Sequence, residues 1–248
     1  MKVYLNEVTG IADSIVSMMM SKRTWTREGE LEIRELCNTL IKRDGSMINK
    51  CSLNAGTSLR SLNGDKLNGY MDMLVKWGWK HITMLRFIDF SITVEGLHRG
   101  GQDDWDSHAS RFNNRIIRSS TRLSTFGNEV SEWYQDKIIP TDVALAQLGI
   151  LAPETLLWNE IKYVKSTNGY IREDMKDDKD VKRGLYMMSI PSNFIFKINL
   201  TDWAHVYKER NDAGTANPEV KLCCESIATQ IEQFQPKFNR ELFEKIKC

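Results

Sequence analysis

Long apolar runs are missing from this sequence. No stretch approaches the roughly 18 to 20 apolar residues that a membrane-spanning helix needs, so no membrane span is expected. Cysteine is sparse: the five present (Cys37, Cys51, Cys223, Cys224, Cys248) are odd in number and show no CxxC spacing. That argues against both a disulfide scaffold and a zinc site. Met1 to Leu5 lacks the basic-then-apolar opening of a signal peptide, and a reducing, cytoplasmic setting is the expectation. Net charge is nearly absent too, with 34 Lys+Arg against 33 Asp+Glu and a formal sum of +1. A generally polybasic, histone-like protein is thereby excluded, although a local patch is not.

The usual marks of catalysis are equally scarce. GxSxG is absent, and so are the phosphate-cradling patterns GxGxxG and GxxxxGK(S/T). The four histidines form no HxH or HExxH pair, which leaves a metal reading without support. No internal repeat or low-complexity linker divides the chain. If the protein is an enzyme, a bound cofactor is expected to carry its chemistry.

What is present fits an ordinary globular protein: 41% hydrophobic and 27% charged residues over 248 positions. One α+β domain spanning 1–248 is the expectation. Val3 to Leu5 reads as a first strand. Ile11, Ile15, Met18 and Met19 have helical spacing, and so do Ile33, Leu36, Cys37, Leu40 and Ile41, closed by Asp44-Gly45. Residues 45–66, rich in Ser, Asn and Gly, read as a loop. A helix follows with Tyr70, Met73, Leu74 and Trp77 on one face and Gly78 as its cap. Ile88, Phe90, Ile92 and Val94 alternate with polar residues, the signature of a half-buried strand. Gly96, Gly100 and Gly101 are expected to break the chain before a helix beginning near Asp103. Further helices are expected at 128–136, 141–148 and 153–164, and the charge run 172–183 reads as a solvated surface loop. Leu200, Trp203, Ala204 and Tyr207 mark one late helix. Val220, Cys223, Cys224, Ile227, Ile231 and Phe234 mark another, ended by Pro236, on which the paired cysteines read as core.

Residues 107–128 (SHASRFNNRIIRSSTRLSTFGN) hold Arg111, Arg115, Arg118 and Arg122 and not one acid. Their spacings of four, three and four would stack the arginines on one face of a helix. Guanidinium forks match phosphate geometry, and Ser119, Ser120 and Thr121 add hydroxyl donors beside them. An anion site and a solvated basic face are both consistent with this stretch. So is a nucleic-acid-binding surface using Phe112 and Trp105 beside the arginines. A second cluster runs from Asn199 to Glu219, with Arg210 near the end of an amphipathic helix. His205 there and His81 farther upstream are read first as structural hydrogen-bonding groups.

At these two clusters the chain resembles the flavin-dependent thymidylate synthases, the ThyX family. Asn199, Arg210, Asp212, Ala216 and Glu219-Val220 follow the order of the family's C-terminal pattern, with Pro236 near the end of its last long helix. The family signature RHRxxSxNExSxRYS is partly matched by Arg115-Ile116 and by Ser120-Thr121-Arg122-Leu123-Ser124. Asn113 and Asn114 replace its Arg-His, and Arg118 stands where its Asn-Glu pair would fall. Leu74 to Gly78 followed by His81 and Thr83 is similar to the family's LxxxGHxSxxEH passage, and Met18 to Thr26 to its early AARVS segment. Residues 28–60 look like an insertion.

The resemblance implies a reductive methylation of dUMP to dTMP with methylenetetrahydrofolate, FAD and NADPH, without a protein nucleophile. It implies that Ser120, Arg122 and Arg210 contact the pyrimidine nucleotide. It also implies that His81, Thr83, Arg115, Arg118, Asn199 and His205 contact flavin or phosphate. A homotetramer with sites between subunits is implied as well. A relative acting on another pyrimidine nucleotide is the alternative within that family, and membrane or nucleic-acid partners are not expected.

Overall fold

The computed structural model describes residues 1–42, 65–109, 115–120, 129–135, 137, 139, 141–178, 182, 185–211 and 216–246. In chain order the elements are β1 (Lys2–Thr9), α1 (Ile11–Ser21), α2 (Arg27–Lys42), α3 (Asp65–Gly78), a 3-10 helix (Ile82–Phe87), β2 (Asp89–His98), α4 (Arg99–Ala109), β3 (Arg115–Arg118), α5 (Thr141–Gln147), β4 (Thr155–Trp158), β5 (Ile161–Ser166), β6 (Gly169–Arg172), β7 (Pro191–Asn199), α6 (Leu200–Asn211), α7 (Pro218–Phe234) and α8 (Arg240–Lys245). The chain is of the α+β class, as expected. One sheet has four strands in the order β1-β2-β7-β3, the other three in the order β4-β5-β6. Contacts divide the chain into two compact units, and β2 and β7 each contribute residues to both.

The larger unit comprises Lys2–Val94, Trp105–Ile117 and Ile195–Cys248. Its core rests on the alternation foreseen in β2, where Ile88, Phe90, Ile92 and Val94 are all buried. Trp105, Trp203, Tyr207 and Phe243 form a buried aromatic cluster. Trp203 lies 6.2 Å from Phe243 edge-on, and Tyr207 lies 5.4 Å from Phe243. The outer edge of β1 is closed by a side chain rather than by a strand. Gln230 of α7 accepts from the Leu5 N–H at 2.6 Å and donates to the Val3 carbonyl at 2.6 Å. Gly10, between β1 and α1, has φ +80, and a Cβ there would stand 1.7 Å from the Phe87 carbonyl oxygen. Only glycine fits that approach.

The smaller unit comprises Met1, Glu95–Asp104 and Arg118–Phe194. Its sheet is an antiparallel meander with Trp158 opposite Ile161 and Val164 opposite Ile171. A buried polar network ties its segments together. Gln102 Oε1 accepts from Arg99 at 3.1 Å and from the Ser192 hydroxyl at 2.8 Å.

The structure corrects the sequence reading at six places. On α3 the buried stripe is Leu67, Met71 and Leu74, whereas Met73 and Trp77 are exposed; the stripe begins one turn earlier than expected. β2 continues through Gly96, which takes φ +77 inside the strand, and α4 begins at Arg99 rather than near Asp103. Its first N–H groups are satisfied from a distance, Arg99 by the Ile190 carbonyl and Gly100 by that of Met188, each at 2.9 Å. The expected helix at 153–164 is the β4-β5 hairpin. Asn159 and Glu160, at φ 50 and 64, form its two-residue turn, and both positive angles are what a type I′ hairpin demands. β7 was unanticipated, although Phe194, Phe196 and Ile198 alternate with half-exposed neighbours. Residues 115–118 form a strand, so the helical spacing that would stack the arginines on one face does not hold there. Around 128–136 the described helix is only the 3-10 turn Glu132–Tyr134.

Candidate functional site

The amino end of α6 is an organised polar corner of the larger unit. Asn199 closes β7 and caps the helix: its Oδ1 accepts from the Thr201 N–H at 3.0 Å, the Thr201 hydroxyl at 2.6 Å and the Asp202 N–H at 2.9 Å. Its Nδ2 donates to Asp202 Oδ2 at 2.7 Å. The capping oxygen is therefore fully used, and one Nδ2 hydrogen has no acceptor among the described residues. Asn199 can offer a donor there, not an acceptor.

Asp202 is half-buried. Burial raises its pKa above the ordinary carboxylate range, while the Asn199 bond and the charges of Arg86 and His205 pull it down and Asp89 pushes it up. Arg86 and Asp89 belong to the end of the 3-10 helix and the start of β2. The Leu200 N–H donates to the Ile88 carbonyl between them at 2.8 Å, which fixes α6 against that corner. One neighbourhood thus collects an amide, two carboxylates, a guanidinium and an imidazole. Asp202, Arg86 and Asp89 were not singled out in the sequence. An Asn followed three residues later by an acid at a helix start resembles a capping box and was the available signal.

His81 and Thr83, at the opening of the 3-10 helix, are exposed. The His81 ring stacks on Trp77 with centroids 6.4 Å apart and planes 24° from parallel, and Lys22 Nζ lies 4.9 Å from the Trp77 ring centroid. Arg210 is buried in the last turn of α6, about 16 Å along the axis from Asn199 at 1.5 Å per residue. Glu219, also buried, opens α7, whose amino end is capped by Asn217 through a 2.9 Å bond from the Glu219 N–H.

In the smaller unit Arg118 ends β3 with its Nη1 2.6 Å from Asp103 Oδ1, and Arg99 Nε lies 3.5 Å from the same oxygen. One carboxylate thus engages two guanidiniums, which lowers the positive charge that the arginine count suggests. Ser120 follows β3 half-buried, and the neighbouring Ser119 N–H donates to the Asn193 carbonyl at 2.8 Å. Arg115 opens β3. Arg111, Arg122 and Asp212 lie outside the described residues.

The described cysteines behave as core. Cys37, Cys223 and Cys224 are buried free thiols. Burial pushes Cys37 up to about 11 and raises Cys223 as well, so neither thiol is ionised near neutral pH. Among the described residues no group of His, Cys, Asp and Glu could hold a metal ion, and no helix is long and apolar enough to cross a membrane.

No protein-family model and no curated protein matches the sequence. Solved structures do match over the full length. A flavin-dependent thymidylate synthase ThyX from Helicobacter pylori, complexed with FAD and dUMP, superposes with a TM-score of 0.54 at 13% identity, covering 100% of each chain. A second structure of ThyX from the same organism, with FAD and dUMP, gives 0.53 at 12% identity and the same coverage. The fold is ThyX-like. At this identity the likeness concerns the backbone, and roles for individual side chains rest on the chemistry around each of them. In the ThyX-like fold of this chain, the corner made by the 3-10 helix and α6 gathers Asn199, Asp202, Arg86, Asp89 and His205.

Proposed function

We propose that this chain, acting as one ThyX-like domain over 1–248, is a flavin-dependent thymidylate synthase. It would convert dUMP to dTMP with methylenetetrahydrofolate as carbon donor, reduced FAD and NADPH, as a homotetramer with sites between subunits in the cytoplasm. The observation that carries the reading is the full-length likeness to ThyX structures that hold FAD and dUMP.

The donor set around α6 fits a flavin. FAD presents carbonyl and phosphate oxygens, which are acceptors, and the remaining Asn199 Nδ2 hydrogen, the exposed Thr83 hydroxyl and His81 supply donors. The exposed Trp77-His81 stack adds an aromatic face for a planar ring. On this reading Asn199, His205, His81, Thr83, Arg115 and Arg118 hold the cofactor. Ser120, Arg122 and Arg210 hold the nucleotide, with the arginine forks on its phosphate and the serine on the pyrimidine. When bound, the flavin supplies the reducing equivalents. The protein's own work is to orient the pyrimidine, polarise its carbonyls and exclude water, for which no ionised thiol is needed.

The experiment is a flavin spectrum followed by tritium release from dUMP labelled at position 5, with the folate and NADPH present. A yellow protein that releases tritium supports the reading. A yellow protein that acts only on another pyrimidine nucleotide moves it to the alternative within the family. A colourless protein that takes up no added FAD, and binds single-stranded nucleic acid with steep salt dependence, replaces the reading altogether.

A further inference from the structure

Strand β4 is unusual for an edge. Among the described residues it pairs with β5 on one side only and stands at the outside of its sheet. All four residues, Thr155, Leu156, Leu157 and Trp158, are exposed. Sheet edges are normally blunted by lysine, proline or a bulge, and β4 has none of these: its register with β5 is regular and it carries no charge. Four residues form few ladder hydrogen bonds, so any pairing there must draw its energy from side chains.

Those side chains are present. Leu151 is 92% exposed, Leu157 74% and Trp158 63%, and Ile150, Leu156 and Ile161 are exposed beside them. With roughly 180 Å² for a leucine or isoleucine and about 250 Å² for a tryptophan, these six leave about 700 Å² of apolar surface in water. A monomer's largest patch is typically ~300–600 Å², whereas a standard interface buries ~800 Å² per partner. Shared between the two faces of the hairpin, about 700 Å² on each copy falls below that mean but inside its spread of roughly 600–1,000 Å² per partner.

The geometry favours a second copy over an unrelated strand. Register places Leu156 and Trp158 on the same face as Tyr163 and Ile161 of β5, with Leu157 on the other face. If a twofold axis passes through Leu157 perpendicular to the sheet, Leu157 faces its own counterpart. Leu156 then faces Trp158 of the other copy, and Trp158 faces Leu156. The pairs centred on Leu157 are apolar, both sheets keep their faces on common sides, and no like charges oppose each other.

We propose that β4 joins β4 of a second copy of this chain, antiparallel about Leu157, to make a continuous six-stranded sheet. This rests on the smaller unit's geometry and does not depend on the flavin reading. The test uses the full chain. In sedimentation, wild type exists as an even-numbered assembly, and the pair Leu157→Glu with Trp158→Glu halves its mass while circular dichroism stays unchanged. Under mild oxidation Leu157→Cys gives a covalent dimer on a non-reducing gel, because directly opposed residues lie within disulfide reach. Trp158→Cys, whose opposite is a leucine, gives at least tenfold less, and wild type sets the background from the native cysteines. Wild type sedimenting as a single chain at micromolar concentration overturns the proposal. So does an unaltered mass in the double glutamate variant, and so does equal cross-linking of the two cysteine variants.

Discussion

Asn199 caps α6 and is proposed to hold the flavin, and one substitution series separates the two. Its Oδ1 takes three donors at the start of α6, and one Nδ2 hydrogen has no acceptor among the described residues. Asn199→Ala removes both. Loss of a capping side chain costs about 1 to 2 kcal/mol, and for a chain of this length each kcal/mol shifts the melting temperature by roughly 2 to 4 °C. The apo protein is therefore expected to melt about 2 to 8 °C lower. Asn199→Ser keeps a capping oxygen but has no amide donor, so its apo melting temperature stays within about 2 °C of wild type. FAD affinity behaves differently. Both variants lack the donor, and a lost hydrogen bond of about 1.4 kcal/mol weakens binding roughly tenfold in each. The assays are thermal melts without ligand and flavin fluorescence titration. If serine melts as low as alanine, the capping account is wrong. If serine binds FAD as tightly as wild type, the donor role is wrong, whatever happens to stability.

Four other outcomes follow from particular contacts. Gly10→Ala places a Cβ against the Phe87 carbonyl at a positive φ and is expected to cost about 3 kcal/mol or more; an unchanged urea midpoint would refute that close approach. Gln230→Leu leaves the Leu5 N–H and Val3 carbonyl buried without partners and should cost about 2 to 4 kcal/mol in the same titration, with a loss below 1 kcal/mol counting against the edge-closing role. Because burial raises the folded-state pKa of Asp202, its contribution is intact below the unfolded value of about 4 and declines as pH rises toward the folded value. Asp202→Asn should therefore flatten the fall in melting temperature with rising pH above about 4, and an identical slope would contradict the assigned direction. Arg210→Lys keeps the charge but loses the fork, so dUMP affinity in calorimetry should fall about tenfold, and full affinity would remove Arg210 from the nucleotide site.

The parts of the fold legible in the sequence are those that local periodicity controls. Trp203, Ala204 and Tyr207 lie buried on α6, and Val220, Cys223, Cys224, Ile227, Ile231 and Phe234 lie buried on α7, at the spacing that announced them. The hairpin at 155–166 was hidden because its apolar run suits either element, and its turn uses Asn159-Glu160 where an Asn-Gly pair would have been decisive. The start of α4 was hidden for another reason. Its first N–H groups are satisfied by carbonyls of Met188 and Ile190, about ninety positions later, so glycines could open a helix that local signals argue against.

The same distinction governs the site. A sequence shows which residues carry charge but not which of their hydrogen-bonding groups are already committed. Four arginines in an acid-free stretch suggested a single positive face, yet 115–118 is a strand, and Arg118 meets Asp103 from just beyond the stretch. Net charge could not reveal this, because one carboxylate shared by two guanidiniums offsets one of their two charges locally and leaves the chain's total at +1 wherever it sits. Asn199 reverses the case. It was marked by resemblance as a ligand contact, and its surroundings narrow that role to a donor by using up its oxygen. A flavin held at this corner must then present an acceptor to Asn199, a constraint on its orientation that comes from helix capping and not from the ligand.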